Sequence, residues 1–221
     1  MATITIGHLV DMALDQVQDE ERALWDYQDL INWYNLGTRQ IVSIDPRANP
    51  ITVAIKLASG IKQAIPGGGI ALLDVIRNMG ADGETPGRAI VPTTLDALRR
   101  SYPSYSTETA SVTIYNWMPD VADRTIFRVY PASDGTTYAE IEYGKVPTIV
   151  VYDAAGDWQS AFIGVKENYI DPLMNYLLSR AFGKDTDIPG NITKATLYYG
   201  LFMTGMGLPA PGQRQQQAEG A

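Results

Sequence analysis

The chain has 221 residues, no cysteine, 45% hydrophobic residues and a net charge of −8. The hydrophobic fraction is sufficient for a sizeable folded core and argues against disorder over most of the length, while the absence of cysteine excludes disulfides and thiolate chemistry. No apolar run approaches the roughly 20 residues of a membrane-spanning helix, and no basic stripe suits phosphate binding. We therefore expect no membrane partner and no sequence-specific grip on nucleic acid.

Two helices are predicted in the N-terminal 50 residues, which carry three Lys or Arg against eight Asp or Glu. Thr5 begins the first helix, and Asp26 is placed to cap the second. The second helix should end at Asp45 because a residue before proline resists helical geometry. Three aspartates follow one side of the first helix at intervals of four residues: Asp11, Asp15 and Asp19.

These three aspartates allow two interpretations. Like charges four residues apart destabilise a helix by about 0.2–0.5 kcal/mol per pair, and a charge run of this kind is usually a solvated face. The functional alternative is an acidic surface that faces a channel or a basic partner.

The middle third of the chain predicts an antiparallel β module. We expect a hairpin between the strands 125–130 and 137–143, because Asp134-Gly135 is a favourable turn pair. Residues 61–65 are expected to pair with 52–57 across a short turn. Thr93 is placed to cap a short helix.

Two further helices are predicted near the C-terminus. Asp171 is a candidate N-cap, Gly183 a candidate end and Asn191 a candidate cap for the second helix. The first of these helices is apolar on two adjoining faces, so it needs cover from the N-terminal helices. The second shows an apolar seam and should end at Gly207: Ile192, Ala195, Tyr199, Phe202 and Met206.

The predicted fold class is therefore α+β. A four-helix body is expected from the N- and C-terminal helix pairs, residues 1–50 and 153–208, with an antiparallel β module, residues 51–152, inserted between them. Residues 209–221 form a polar tail that has almost no apolar area to fold with. Such a tail normally frays, so an ordered tail would be held by something outside its own domain.

The search for chemistry gives little. His8 is the lone histidine, and a surface or packing role is favoured over a general base. The common metal-ligand sets are absent, although four carboxylates are candidates for a hard cation against a favoured solvated charge run: Asp15, Asp19, Glu20 and Glu21. The glycines at 67–69 lack the following lysine of a phosphate-binding loop. We therefore predict no catalytic residue, no cofactor and no metal.

Three blocks of sequence, taken in order, carry a resemblance to a known family. The first is residues 65–66 leading into 72–80 (LLDVIRNMG) and 87–90 (GRAI). The second is residues 127–131 (FRVYP) with 139–143 (AEIEY). The third is residues 171–178 (DPLMNYLL) with 180–182 (RAF) and Asp185, followed by Asn191, Ala195, Tyr199 and Phe202. Together they resemble the head-to-tail adaptor proteins of tailed bacteriophages, especially short-tailed ones.

This resemblance implies a structural protein without enzymatic activity that forms a ring, usually of twelve copies, below the portal protein and above the tail nozzle. DNA would pass through the lumen, and the protein would be assembled in the host cytoplasm and reside in the neck of the virion. The acidic face of the first predicted helix becomes a candidate lumen or intersubunit surface. The C-terminal segment becomes a candidate portal-docking segment: Leu208, Pro209, Gln213, Arg214, Gln215, Gln216 and Gln217.

Two alternatives stay open. Another tail or neck subunit, such as a tail-completion or tail-tube protein, would be richer in strands. A small carbohydrate-active enzyme or sugar-binding module would use tyrosines such as Tyr102 and Tyr105 for stacking and would need paired carboxylates in a cleft.

Overall fold

The computed structural model describes residues 4–18, 24–153 and 155–209. In these ranges the helices are α1 (Ile6–Val17), α2 (Tyr27–Ile44), α3 (Leu95–Ser101), α4 (Asp157–Ser160), α5 (Ile170–Lys184) and α6 (Asn191–Gly205). The strands are β1 (Pro50–Lys56), β2 (Gly60–Ala64), β3 (Gly69–Met79), β4 (Pro86–Ala89), β5 (Val91–Pro92), β6 (Asn116–Pro119), β7 (Ile126–Ser133) and β8 (Tyr138–Lys145).

The chain divides into two compact units. The helical unit combines Met1–Asn49 with Pro147–Ala221, and the β unit is Pro50–Val146. Helices and sheets thus occur in comparable amounts, and the predicted α+β class is confirmed. That the long helices form one four-helix body stays a prediction.

The β unit contains two four-stranded sheets, ordered β1-β8-β3-β4 and β2-β7-β6-β5. Side chains from both sheets share one hydrophobic core, among them Val75 and Ile141 from the first sheet and Phe127 and Val129 from the second. β5 pairs with β6 in parallel, whereas the other pairings are antiparallel. The predicted antiparallel module therefore contains one parallel pairing, at this short edge strand.

Both predicted strand pairings are also wrong. β1 pairs with β8 and β2 with β7, so each short connection carries the chain from one sheet to the other. The Gln63 side chain stabilises the connection between β1 and β2. Its buried side chain accepts from the Ala58 N–H at 2.7 Å and donates to the Ala58 carbonyl at 2.8 Å. These bonds satisfy backbone groups that lie outside either sheet.

In the helical unit, α5 contacts α1, α2 and α6. Its apolar residues are buried on both faces: Leu173, Leu177 and Ala181 on one, Met174, Leu178 and Phe182 on the other. Trp25, just before α2, is buried too and donates from its indole N–H to the Ala181 carbonyl at 3.1 Å. The prediction that the N-terminal helices cover α5 is therefore confirmed.

The predicted start of the first helix at Thr5 and the predicted Asp26 cap of the second helix are confirmed. The Thr5 hydroxyl accepts from the His8 N–H at 3.3 Å, and the Asp26 carboxylate accepts from the Asp29 N–H at 2.8 Å. α2 ends at Ile44, with Asp45 as its C-cap. Short polar side chains before an apolar periodic run thus predicted these boundaries well.

The other predicted caps are wrong by one or two residues. Asp171 lies inside the first turn of α5, because the 3₁₀ turn Glu167–Tyr169 runs directly into the helix. Gly183 is within α5, which continues to Lys184. Asn191 is the first residue of α6, and its buried amide donates to the Asp185 carbonyl at 2.9 Å. Thr94 caps α3 in place of Thr93.

A hydrogen bond from the Tyr169 hydroxyl to the Asp45 carboxylate joins the end of α2 to the turn before α5. This bond, more than any other contact, lowers the pKa of Asp45. Burial, followed by the same bond, raises the pKa of Tyr169. Both directions mean that the folded state favours a neutral phenol beside a charged carboxylate.

Gly37 of α2 lies where α2 and α5 approach most closely. A Cβ at this position would stand 2.8 Å from Leu173 Cδ1 and 2.8 Å from Tyr176 Cδ1, and both of those side chains are buried. We expect Gly37→Ala to lower the free energy of unfolding by about 1–3 kcal/mol through overpacking, as measured by urea denaturation. Gly183→Ala is the matched control, because its nearest neighbour would be Ala195 Cβ at 3.8 Å. It should raise stability by about 0.5 kcal/mol.

We expect Tyr169→Phe to lower the free energy of unfolding by about 1 kcal/mol at neutral pH, since it removes a hydrogen bond to a partly exposed charged carboxylate. The lowered pKa of Asp45 contributes stability above the ordinary carboxyl pKa of about 4, and this contribution is lost as the pH falls further. Urea midpoints measured across pH should therefore converge for the two proteins in acid. A difference that persists undiminished at low pH contradicts the role of this bond.

Candidate interaction surfaces

The acidic side of α1 is exposed. Asp11 and Asp15 lie one turn apart on it, both exposed to solvent, and neither forms an ion pair with a Lys or Arg in the described part of the chain. Asp19, the third predicted member, lies outside the described residues. His8 is exposed on the same helix. The structure thus presents two of the three aspartates as a bare acidic surface, and its role stays a prediction.

The C-terminal end of α6 has a defined geometry. Gly207 has a φ of +71°, its N–H donates to the Thr204 carbonyl at 2.9 Å, and the Leu208 N–H donates to the Met203 carbonyl at 2.9 Å. These two bonds form a Schellman motif, as the predicted stop at Gly207 requires. Of the predicted docking segment, Leu208 is half-buried and Pro209 exposed. Gln213, Arg214, Gln215, Gln216 and Gln217 lie outside the described residues.

Two pockets that share Arg180 form an open groove on α5, one against α6 and the other against α2, and the sequence did not reveal it. One part, of about 460 Å³, is lined by Arg180, Thr196 and Tyr199 among others. A second part, of about 320 Å³, is lined by Asp29, Trp33 and Lys184 together with Arg180. Lys184 forms an ion pair with Asp29.

Arg180 is the cation at the centre of this groove. Its guanidinium donates to the Tyr176 hydroxyl at 2.8 Å and lies 5.0 Å from the centre of the Tyr176 ring. Within the described ranges no carboxylate forms an ion pair with it. The groove therefore presents a guanidinium held in a fixed position, which suits an anionic group of a partner.

The apolar seam predicted for α6 is only partly buried. Phe202 is fully buried, but Ile192 is 62% exposed, and Ala195, Tyr199 and Met206 are half-buried. On the outer side of the helix, Leu197 and Leu201 are also largely exposed. Because α6 has Lys194 as its single charged residue, this surface helix lacks the polar outer face of an ordinary amphipathic helix.

A second exposed apolar surface lies in the segment 147–153, which we call the strap. The Asn35 side chain donates to the Val150 carbonyl at 2.8 Å and accepts from the Val150 N–H at 2.9 Å. The N–H and the carbonyl of Val150 therefore point to the same side of the chain, which is the geometry of an extended segment. Ile149 and Val151, on either side, are 69% and 72% exposed.

Of the four carboxylates considered for a hard cation, Asp15 is exposed, and Asp19, Glu20 and Glu21 lie outside the described residues. No group of three or more His, Asp or Glu that could hold a metal ion occurs within residues 4–18, 24–153 and 155–209.

Asp82 and Tyr130 of the β unit have shifted pKa values. Asp82 accepts hydrogen bonds from the Glu84 and Thr85 backbone amides, which lower its pKa to about 2. The ring of Tyr102 lies 5.4 Å from that of Tyr130. The hydrogen bond from Tyr130 to Glu108 raises the pKa of Tyr130 to about 12.

Comparison with known proteins identifies a family for this chain. A model of the SU10 adaptor protein family matches residues 4–221, nearly the whole chain. No curated protein matches the chain. Of the helices that the structure describes, none has the length and apolar composition to cross a membrane.

The Schellman motif predicts the effect of Gly207→Ala. A left-handed φ costs a residue with a Cβ about 1 kcal/mol, so the end of α6 should open more often. We expect amide hydrogen exchange at Leu208 to accelerate by about fivefold to tenfold. Gly207→Asn is the control, since asparagine tolerates this conformation better than alanine, and its acceleration should be smaller. Equal exchange rates at Leu208 in the unaltered protein and both variants contradict a role of Gly207 in ending α6.

Proposed function

The chain belongs to the SU10 adaptor protein family, and from this premise we propose that it is a structural protein of a bacteriophage neck that joins the DNA-filled head to the tail. The observation that carries the proposal is the extent of the family match, residues 4–221, because it includes both units. The order of the three sequence blocks supports the same role.

The proposed mechanism is assembly without catalysis. Copies of the chain form a ring, for which we propose twelve members, between the portal protein above and the tail nozzle below. Ring contacts are heterologous, so each copy needs two different, complementary surfaces. The helical unit offers exposed apolar surface in two places, on α6 and on the strap, which supports this mode of association.

We place the acidic side of α1 at the lumen of the ring. Exposed Asp11 and Asp15 would face the phosphates of DNA, and like charges repel at the distances of a narrow channel. Repulsion keeps the polymer from adhering during its passage. The charge of −8 and the lack of a basic stripe are consistent with a wall that DNA slides past.

The C-terminal segment is proposed to dock on the portal protein. The Schellman motif fixes the direction in which the chain leaves α6, with Leu208 as the first residue of the segment. The residues that follow are polar and rich in glutamine, so they gain order from a partner more readily than from their own apolar area. Leu208, Pro209 and the glutamines with Arg214 are the proposed contacts.

Deletion of Pro209–Ala221 tests this role. We expect the truncated protein to fold with unchanged helical content but to join DNA-filled heads at least about tenfold less efficiently, which corresponds to about 1.4 kcal/mol of lost binding. Joining is measured by counting adaptor-bearing heads in electron micrographs.

The matched control replaces Gln213–Gln217 with glycine and serine at the same length. It should also lose joining if side-chain contacts matter, and should retain joining if the segment serves as a spacer. Full joining by the deleted chain removes the tail from the mechanism.

A further inference from the structure

The outer face of α6 and the strap each expose a pair of apolar side chains, the first on a helix and the second on an extended segment. Leu197 and Leu201 are 58% and 44% exposed and are separated by about 6 Å along the helix, at 1.5 Å per residue. Ile149 and Val151 lie two residues apart in an extended segment and are separated by about 6.5 Å on one side of it. The spacing of one apolar pair thus matches the spacing of the other.

These two surfaces lie on opposite flanks of α2. Asn35 holds the strap through Val150, whereas Gln40 donates to the Tyr199 hydroxyl of α6 at 3.3 Å. Five residues separate Asn35 from Gln40, which is a rotation of about 140° around the helix axis. The strap of one copy therefore cannot meet its own α6 face, but it can meet that of a neighbour.

Charge complements the apolar match. α6 contains no acidic residue and exposes Lys194, which lies 4.8 Å from the centre of the Phe182 ring. Arg180 lines the groove on α5 together with Ala195 and Thr196 of α6. The strap ends at Asp153 and is followed by exposed Asp157, and residues 147–165 contain no Lys or Arg. One surface is therefore cationic at its border and the other acidic.

We infer that the α6 face of one copy seats the strap of the next copy, with Ile149 and Val151 lying against Leu197 and Leu201. The contact joins two different surfaces on separate flanks of α2, so it propagates from copy to copy as a heterologous interface does. The inference rests on the proposed ring and names the surfaces that build it.

The absence of cysteine from the chain makes a direct test available. The double variant Val151→Cys, Leu197→Cys of the full chain is treated with a short bismaleimide at concentrations where rings form. We expect a ladder of covalent species beyond the dimer on denaturing gels, because each copy offers one thiol to each neighbour. Either single variant alone should give no ladder. An equimolar mixture of the two single variants should give the dimer.

Val121→Cys combined with Leu197→Cys is the matched control, because Val121 is fully exposed, at 101%, in the β unit. It should give at least about tenfold less ladder. Adding Leu201→Glu to the Val151/Leu197 double-cysteine variant should suppress its ladder, whereas adding Val91→Glu, a comparably exposed residue of the β unit, should not.

The outcomes separate this interface from the adaptor role. Rings in electron micrographs without a ladder overturn the interface and leave the adaptor role standing. Neither rings nor ladder, even with DNA-filled heads present, counts against both. A ladder that stops at the dimer overturns the head-to-tail arrangement, because it indicates an isologous contact.

Discussion

The structure depends on the burial of a helix that is apolar on two faces. Fully burying a Leu, Met or Phe side chain stabilises the fold by about 1.5–3 kcal/mol, and α5 offers five such residues as well as an alanine. One neighbouring helix cannot cover them all, so α6 takes one side and the N-terminal helices take the others. The two ends of the chain are therefore brought into one unit, and the β unit is an insertion between them.

The same constraint explains which surfaces remain uncovered. The buried side of α6, centred on Phe202, packs against α5. The ring centres of Tyr176 and Phe202 are 5.3 Å apart. The outer side of α6 then has no helix of the described chain to cover Leu197 and Leu201, which remain largely exposed. A polar outer face would make this helix an ordinary surface helix. Because that face is apolar, it is a surface suited to association between chains.

Sequence patterns predicted the helices better than they predicted the sheets, and the reason is physical. A helix is a local structure, so the start of α1 at Thr5 and the Asp26 cap of α2 could be identified from adjacent residues alone. A strand shows only which side chains are buried; its partner is fixed by the whole unit. Phe127 and Ile141 alternate as hairpin residues do, yet they belong to facing sheets.

Among the candidate surfaces, the acidic α1 face followed from spacing, whereas the Arg180 groove required the packing of three helices. The apolar run Ile149, Val150 and Val151 was the available sequence signal for the strap, and the single charged residue in 191–205 was the available signal for the outer face of α6.

The net charge places a limit on how such copies can assemble. Each copy carries −8, so copies in the proposed ring would repel one another, and salt reduces this repulsion only beyond the Debye length of about 8 Å at physiological ionic strength. Ion pairs at an exposed interface contribute little, about 0–1 kcal/mol each. Apolar contact therefore has to supply most of the association free energy, while a few cations such as Lys194 set its orientation. In the proposed ring an acidic wall can coexist with stable association, because Asp11 and Asp15, which we propose repel DNA, are different from the residues proposed to bind the neighbour. In the proposed assembly, the separation of charge from apolar contact would allow one helical unit both to close a ring and to leave its channel free of adhesion.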